Sequence, residues 1–204
     1  KNVFCNPNIS RARRAHLITK LVGSVLLWGH ESWRLSYKEL DLLRRCHIKL
    51  IRRSMGYEKA DDETVAEYNK RAFRSARELI QQLGIITFDN KALALYHTWA
   101  GHTARHKSET ELSNCILHEG KQWQHTFFAL TNRTHGRHRQ GYNCTWEEEI
   151  YYWRMLKGDL WQEAGATMTK DAWNSETQEF VAWRQLPHKR RRIHVPTEIT
   201  KVNR

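Results

Sequence analysis

Proline is almost missing from this chain, three residues in 204, and glycine is sparse at ten. So few breakers leave long helices uninterrupted. Hardly any stretch alternates apolar and polar residues as a half-buried strand must, so a sheet-rich fold is disfavoured. No repeat with a period of roughly 20 to 50 residues is present, which argues against a solenoid. Cysteine is scarce as well: Cys5, Cys46, Cys115 and Cys144 stand 41, 69 and 29 positions apart, without a Cys-x-x-Cys pair. Reduced thiols in a nuclear or cytoplasmic protein, not a secreted disulfide framework, are the expectation. The longest apolar run, Leu21 to Trp28, is interrupted by Gly23 and Ser24 and falls well short of a membrane span. No Walker loop, dinucleotide-binding glycine pattern or Ser/His/Asp arrangement is present. No secretory leader is legible at Lys1, and the chain reads as an internal segment of a longer protein.

What the chain has in excess is positive charge: 34 Lys and Arg against 22 Asp and Glu, a formal +12. Such a surface favours polyanions, and nucleic acid over lipid, because no amphipathic anchor stands apart from the body of the chain. A hydrophobic content of 40% supplies a core, and nine Trp and twelve His are unusual for this length. Most of the Trp are expected in that core.

Helical spacing recurs from end to end. Ser10 opens a stretch with Ile18, Leu21, Val22, Val25 and Leu26 on one face. Ser36 and Glu39 form a capping box for a helix near 37–55, with Leu40, Leu43, Cys46 and Leu50 as its apolar stripe and Gly56 as its stop. Thr64 and Glu67 open a third, ended by Gly84, and Asp89 is placed to cap a fourth that carries Leu93, Tyr96, His97 and Ala100. Shorter patterns follow at 109–118 and 121–130. Thr145 with Glu148, and Thr169 or Asp171, open the last helices, which carry Trp153, Leu156 and Trp183. The expected organisation is an all-α fold: thumb-like helices at 1–60, a helical connector at 61–130, a basic loop at 131–144, helices at 145–186 and a basic tail at 187–204.

Three groups of residues carry candidate chemistry. Lys59-Ala60-Asp61-Asp62 resembles the acidic turn of a two-metal polymerase, but its flanks are polar, where that chemistry needs a rigid strand hairpin and a further carboxylate. The expectation is a helix N-terminus rich in acids. His102, His106, Cys115 and His118 have the ligand types of a tetrahedral zinc site, provided that the intervening chain turns back; the expectation is no stoichiometric metal. The basic clusters are Arg11 to Arg14, Arg44 with Arg45, Arg52 with Arg53, Arg133 to Arg139 and Lys189 to Arg192. Residues 1–59 hold 13 Lys and Arg against 4 Asp and Glu. Arg45, Lys49, Arg52 and Arg53 lie close to one helix face, the arrangement that tracks a phosphate backbone without reading sequence.

Those residues also carry a resemblance. Leu26-Leu27-Trp28-Gly29-His30-Glu31-Ser32-Trp33, followed by Leu50-Ile51-Arg52-Arg53-Ser54-Met55-Gly56, resembles the segment after the palm of non-LTR (LINE-type) retrotransposon reverse transcriptases. Trp99-Ala100-Gly101-His102-Thr103-Ala104-Arg105 resembles that family's Trp-x-Gly-His-x-x-Arg element. Gly136 to Gly141 followed by Trp146 resembles its basic loop, although the customary Gly-Arg-Pro is lacking; Ala172-Trp173 and Trp183-Arg184 fall where Trp recurs. Order and spacing hold over residues 9–184. The resemblance implies a thumb and connector that grip RNA or an RNA–DNA duplex beside the rest of a polymerase. Magnesium belongs to a palm that this segment lacks, and no cofactor is implied here. It also implies that Gly101-His102 is structural.

The expected function is therefore non-catalytic nucleic-acid binding, with Arg11, Arg13, Arg14, Arg44, Arg45, Lys49, Arg52, Arg53, Arg137 and Arg139 as phosphate contacts and Trp28 and Trp33 in packing. A detached RNA-binding or scaffold subunit of a ribonucleoprotein is the alternative. A small zinc-dependent nuclease-like module comes third, because no general base accompanies the candidate ligands.

Overall fold

A computed structural model describes residues 3–30, 35, 37–106, 149–150, 153–154 and 156–185. Every regular element among them is helical, and no strand occurs among the described residues, so the fold is all-α as expected. None of the described helices is long and apolar enough to cross a membrane. The predicted helices at 109–118 and 121–130, the basic loop, the cap at Thr145 and the tail lie outside the described residues. The chain forms two compact units that meet in sequence at Leu93 and Ala94.

In the first unit a 3-10 turn, Val3–Cys5, precedes α1 (Arg11–Leu17), which Ser10 caps by accepting from Arg13 N at 3.3 Å. A π-helical turn, Ile18–Val22, joins α1 to α2 (Gly23–Leu26). Here the predicted apolar face is corrected. Ala15, Ile18 and Leu27 are buried, whereas Leu21 and Val25 are 53% and 79% exposed. An i→i+5 turn holds one residue more than an α turn, so it rotates the downstream side chains by about 100° relative to a 3.6-residue count. Gly23 permits the close pass of α2: a Cβ there would meet the Phe88 ring at 3.0 Å.

Helix α3 (Tyr37–Ser54) ends at Gly56, whose φ of 63° is the left-handed stop expected of it. Its predicted cap, Ser36, lies outside the described residues. The buried stripe is Leu40, His47, Ile51 and Ser54, with Leu43, Cys46 and Leu50 only half-buried. His47 rotates the face: its ring stacks on Phe88 at 4.0 Å and 5°, and Nε2 shares a hydrogen bond with Thr19 Oγ1 at 3.0 Å. Burial, helped by the Lys91 charge, pushes this imidazole down to about 4, so it is neutral and packs as an aromatic.

Helix α4 (Val65–Gln82) is capped as predicted. Thr64 Oγ1 accepts from Glu67 N at 3.3 Å, and Thr64 N donates to Glu67 Oε2 at 2.9 Å. Thr64→Ala is expected to lower stability by about 1 kcal/mol, measured as a shifted denaturation midpoint; an unmoved midpoint would show that water replaces the cap. Asp61 and Asp62 form an exposed turn leading into this helix, not a strand hairpin. Ala76 and Ile80 of α4 complete a core with Ala15, Ile51, Met55 and Ile85.

Helix α5 (Phe88–Arg105) buries Leu93, Tyr96, His97 and Ala100, as its spacing predicts. Asp89 does not cap it; it sits inside the first turn, buried. In the second unit, residues 153–154 and 156–157 are helical, followed by α6 (Trp161–Thr167) and α7 (Lys170–Gln185). Thr169 Oγ1 caps α7 by accepting from Ala172 N at 3.3 Å. Trp153, Trp161 and Trp173 are core residues, whereas Trp28, expected in packing, is 84% exposed.

Candidate nucleic-acid interface

The predicted phosphate contacts divide by what the fold does with each. Arg14 is lost to the surface: it is buried, and Nη1 donates to the carbonyl of Ser54 at the C-terminal end of α3. A cation there satisfies an orphan carbonyl and opposes the negative end of the helix dipole, so its role is structural. Arg52 is also engaged. Its Nη1 donates to Asn69 Oδ1 at 2.9 Å and its guanidinium lies 4.7 Å from the Phe73 ring centroid, which ties α3 to α4. Arg11 covers the Tyr57 ring at 5.3 Å but stays exposed. Arg44 and Arg45 both pair with Asp41, Arg45 Nε at 2.8 Å, while remaining more than half exposed. Arg13, Lys49 and Arg53 are exposed, and their side chains have no hydrogen-bond or ion-pair partner among the described residues. Arg137 and Arg139 lie outside the described residues.

At about 100° per residue, Arg45, Lys49 and Arg53 fall within roughly 80° on the side of α3 opposite its buried stripe. A second row is one that the sequence clusters do not mark: Lys70, Arg74 and Arg77 of α4, spaced i, i+4, i+7, are exposed and turned away from Ala72, Ala76 and Ile80. Arg52 marks the seam between the rows. On α3 it follows Arg45 and Lys49 at i+7 and i+3; its partner Phe73 precedes Arg77 by four on α4. The signal for the second row is present in the sequence as helical spacing, hidden because these cations are never adjacent.

Two acids near this face, Glu63 and Glu67, are engaged by neighbouring side chains, whereas Asp62 and Glu78 are exposed. Glu63 receives Arg71 through Nε at 2.8 Å and Nη2 at 2.7 Å, and that guanidinium holds its carboxyl below the usual carboxylate range. Glu67 is held low in the same sense by its hydrogen bonds from Thr64. Together with Asp62 they line a surface depression of about 510 Å³ whose other side is Lys70, Arg71 and Arg74. The six exposed cations of the two rows outnumber the acids beside them, Asp41, Asp62, Glu67 and Glu78, so the face stays net positive, the electrostatic footprint of a backbone-tracking surface.

Three of the described cations of the second unit, Arg154, Lys157 and Arg184, are paired within it. Arg154 is buried; Nε donates to Asp159 Oδ1 at 2.8 Å, and its terminal nitrogens pair with Asp159 and Glu176. Lys157 pairs with Glu179 at 2.8 Å and Glu176 at 3.2 Å, and Arg184 lies 3.2 Å from Glu149. The His102 and His106 rings are brought together, centroids 4.4 Å apart, at the end of α5. Cys115 and His118 lie outside the described residues, and among those described no group of three or more metal-ligating side chains assembles. No family model, curated protein or solved structure matches this chain.

Proposed function

We propose that the α3–α4 face is a sequence-independent nucleic-acid grip for RNA or an RNA–DNA duplex, in a non-catalytic segment of a LINE-type reverse transcriptase. The observation that carries this is the pair of exposed cation rows, Arg45–Lys49–Arg53 and Lys70–Arg74–Arg77, flanking the seam that Arg52 marks. Phosphates on a duplex are met by such rows through charge alone, so register and orientation are held without base readout. The sequence motifs supply the family reading; the charge distribution supports binding whatever the parent protein.

The test is the salt dependence of duplex affinity. Each phosphate neutralised contributes about 0.9 to the slope of log affinity against log salt on B-DNA. Lys49→Ala with Arg53→Ala is expected to flatten the slope by about two units, and Lys70→Ala with Arg74→Ala to do the same. Arg52→Ala is expected to lower the melting temperature with little change in slope, since its guanidinium is committed to Asn69 and Phe73. Slopes unchanged in both double variants would overturn the assignment of this face.

A further inference from the structure

The segment that ends at Trp28 carries an exposed strip with two halves. Arg13, His16 and Lys20 lead, and Leu21, Val25 and Trp28 come after them at i, i+4, i+7, all of them exposed. Trp28 is 84% exposed and closes the segment, with its amide bonded back to Val25 O at 3.4 Å and Gly29 turning away at a φ of 69°. Leaving an indole in water costs hydrophobic free energy that burial would recover, and Leu21, Val25 and Trp28 together make an apolar row on which a ligand could recover it. From Lys1 to His30 the chain holds five Lys and Arg and not one Asp or Glu.

These features select among occupants. A second copy of the same strip would set cation against cation. A protein interface of ordinary size takes roughly 20 to 30 residues a side, and three apolar side chains are far short of that. A membrane surface needs a continuous apolar arc, whereas Leu17 and Leu26 are half-buried and Leu27 is turned into the core. An unpaired nucleotide fits on each count. Its base has a flat π face for the indole, its sugar is of a size for Leu21 and Val25, and its phosphates run toward Lys20 and Arg13.

We propose that Trp28 is a base-stacking platform for single-stranded nucleic acid, approached along Arg13 and Lys20. This rests on the reading of the chain as a nucleic-acid binder but uses a different surface and a different force. Stacking is insensitive to base identity, so a strand end or overhang next to a gripped duplex is the ligand class.

The experiment compares a blunt RNA–DNA duplex with the same duplex bearing an oligouridine overhang. Trp28→Ala is expected to weaken the overhang complex by about ten-fold, within the range for one stacked base, and to leave the blunt duplex and the salt slope unchanged. Trp28→Phe is expected to keep most of the overhang affinity while losing the part of the indole fluorescence quenching that stacking on Trp28 is expected to produce in the wild-type chain. Equal overhang affinity for wild type and Trp28→Ala, with duplex binding intact, overturns the stacking site alone. A wild-type chain that binds neither ligand overturns the duplex reading as well. A Trp28→Ala effect seen instead on phosphatidylserine vesicles, on self-association or on the melting temperature assigns the strip to lipid, to a second copy or to packing, and overturns the proposal.

Discussion

A single methyl group at position 101 is expected to cost the second unit about 3 kcal/mol. A Cβ built on Gly101 would lie 2.3 Å from Trp173 Nε1 and 2.4 Å from Cδ1, far inside contact distance. Trp173 has nowhere to go. It is fully buried, Nε1 donates to His97 O at 2.6 Å, its ring stacks on His97 at 4.5 Å, and the Arg154 guanidinium lies 5.6 Å from its centroid. Overpacking typically costs about 1–3 kcal/mol, and a buried indole N–H torn from its carbonyl adds a similar amount, against about 1 kcal/mol gained from alanine's helix propensity. Chemical denaturation of Gly101→Ala, followed by near-ultraviolet dichroism, checks this, with exposed His102→Ala as the neighbour expected to move stability by less than about 0.5 kcal/mol. Combining Gly101→Ala with Trp173→Ala should cost less than the two singles added, because the second change removes what the first collides with. Strict additivity would mean that the two residues do not oppose each other.

The second unit should also weaken steadily as pH falls from about 6.5 toward 3. His97 is sandwiched between Trp173 and Phe180, ring centroids 4.5 and 5.0 Å away, with Nδ1 sharing a hydrogen bond with Thr177 Oγ1 at 2.9 Å. Burial, reinforced by the Arg154 and Lys157 charges, pushes this imidazole down to about 3. The unfolded chain then takes up a proton that the folded chain refuses, so stability is full above the unfolded value and is lost on acidification. A depression from 6.5 to about 3 corresponds to at most about 5 kcal/mol. His97→Phe keeps a ring in the stack and removes the titration, so its stability should be flatter across that window. Thr177 keeps a partner in the variant, its Oγ1 donating to Trp173 O at 3.3 Å. Parallel pH profiles for wild type and variant would remove His97 as the cause. His47, pushed down to about 4, adds a shallower loss to the first unit over the same direction of pH.

Legibility in the sequence tracks the range of the interactions involved. Capping is local chemistry, so Thr64 with Glu67, Ser10, Thr169 and the stops at Gly56 and Gly84 are legible from neighbours within four residues. The face of α3 is not, because His47 is a polar letter until Phe88 and Thr19 are placed against it. Arg14 reads as a surface cation for the same reason: its partner, Ser54, is 40 residues away. Arg52 has the right charge and the wrong neighbours, since Asn69 and Phe73 belong to the next helix. Reading cations as adjacent clusters singles out pairs such as Arg52 with Arg53, which helical geometry splits between seam and surface. It passes over Lys70, Arg74 and Arg77, which that geometry unites. Gly101 is marked as structural by its motif, but the physical reason is a tryptophan supplied by a distant helix.

The π-helical turn at Ile18–Val22 shows how this chain tolerates a change of length. In a strand, one added residue moves every later side chain to the opposite face of the sheet. A helix absorbs the same addition as a single wide turn, and the disturbance is a rotation that ends where the next anchor begins. Ala15 and Ile18 hold the near side of that turn and Leu27 the far side, both buried as if nothing had been inserted. Between those anchors Leu21 and Val25 keep the letters of a core helix and the address of a surface one, so an insertion can create a new exposed face without any substitution at all.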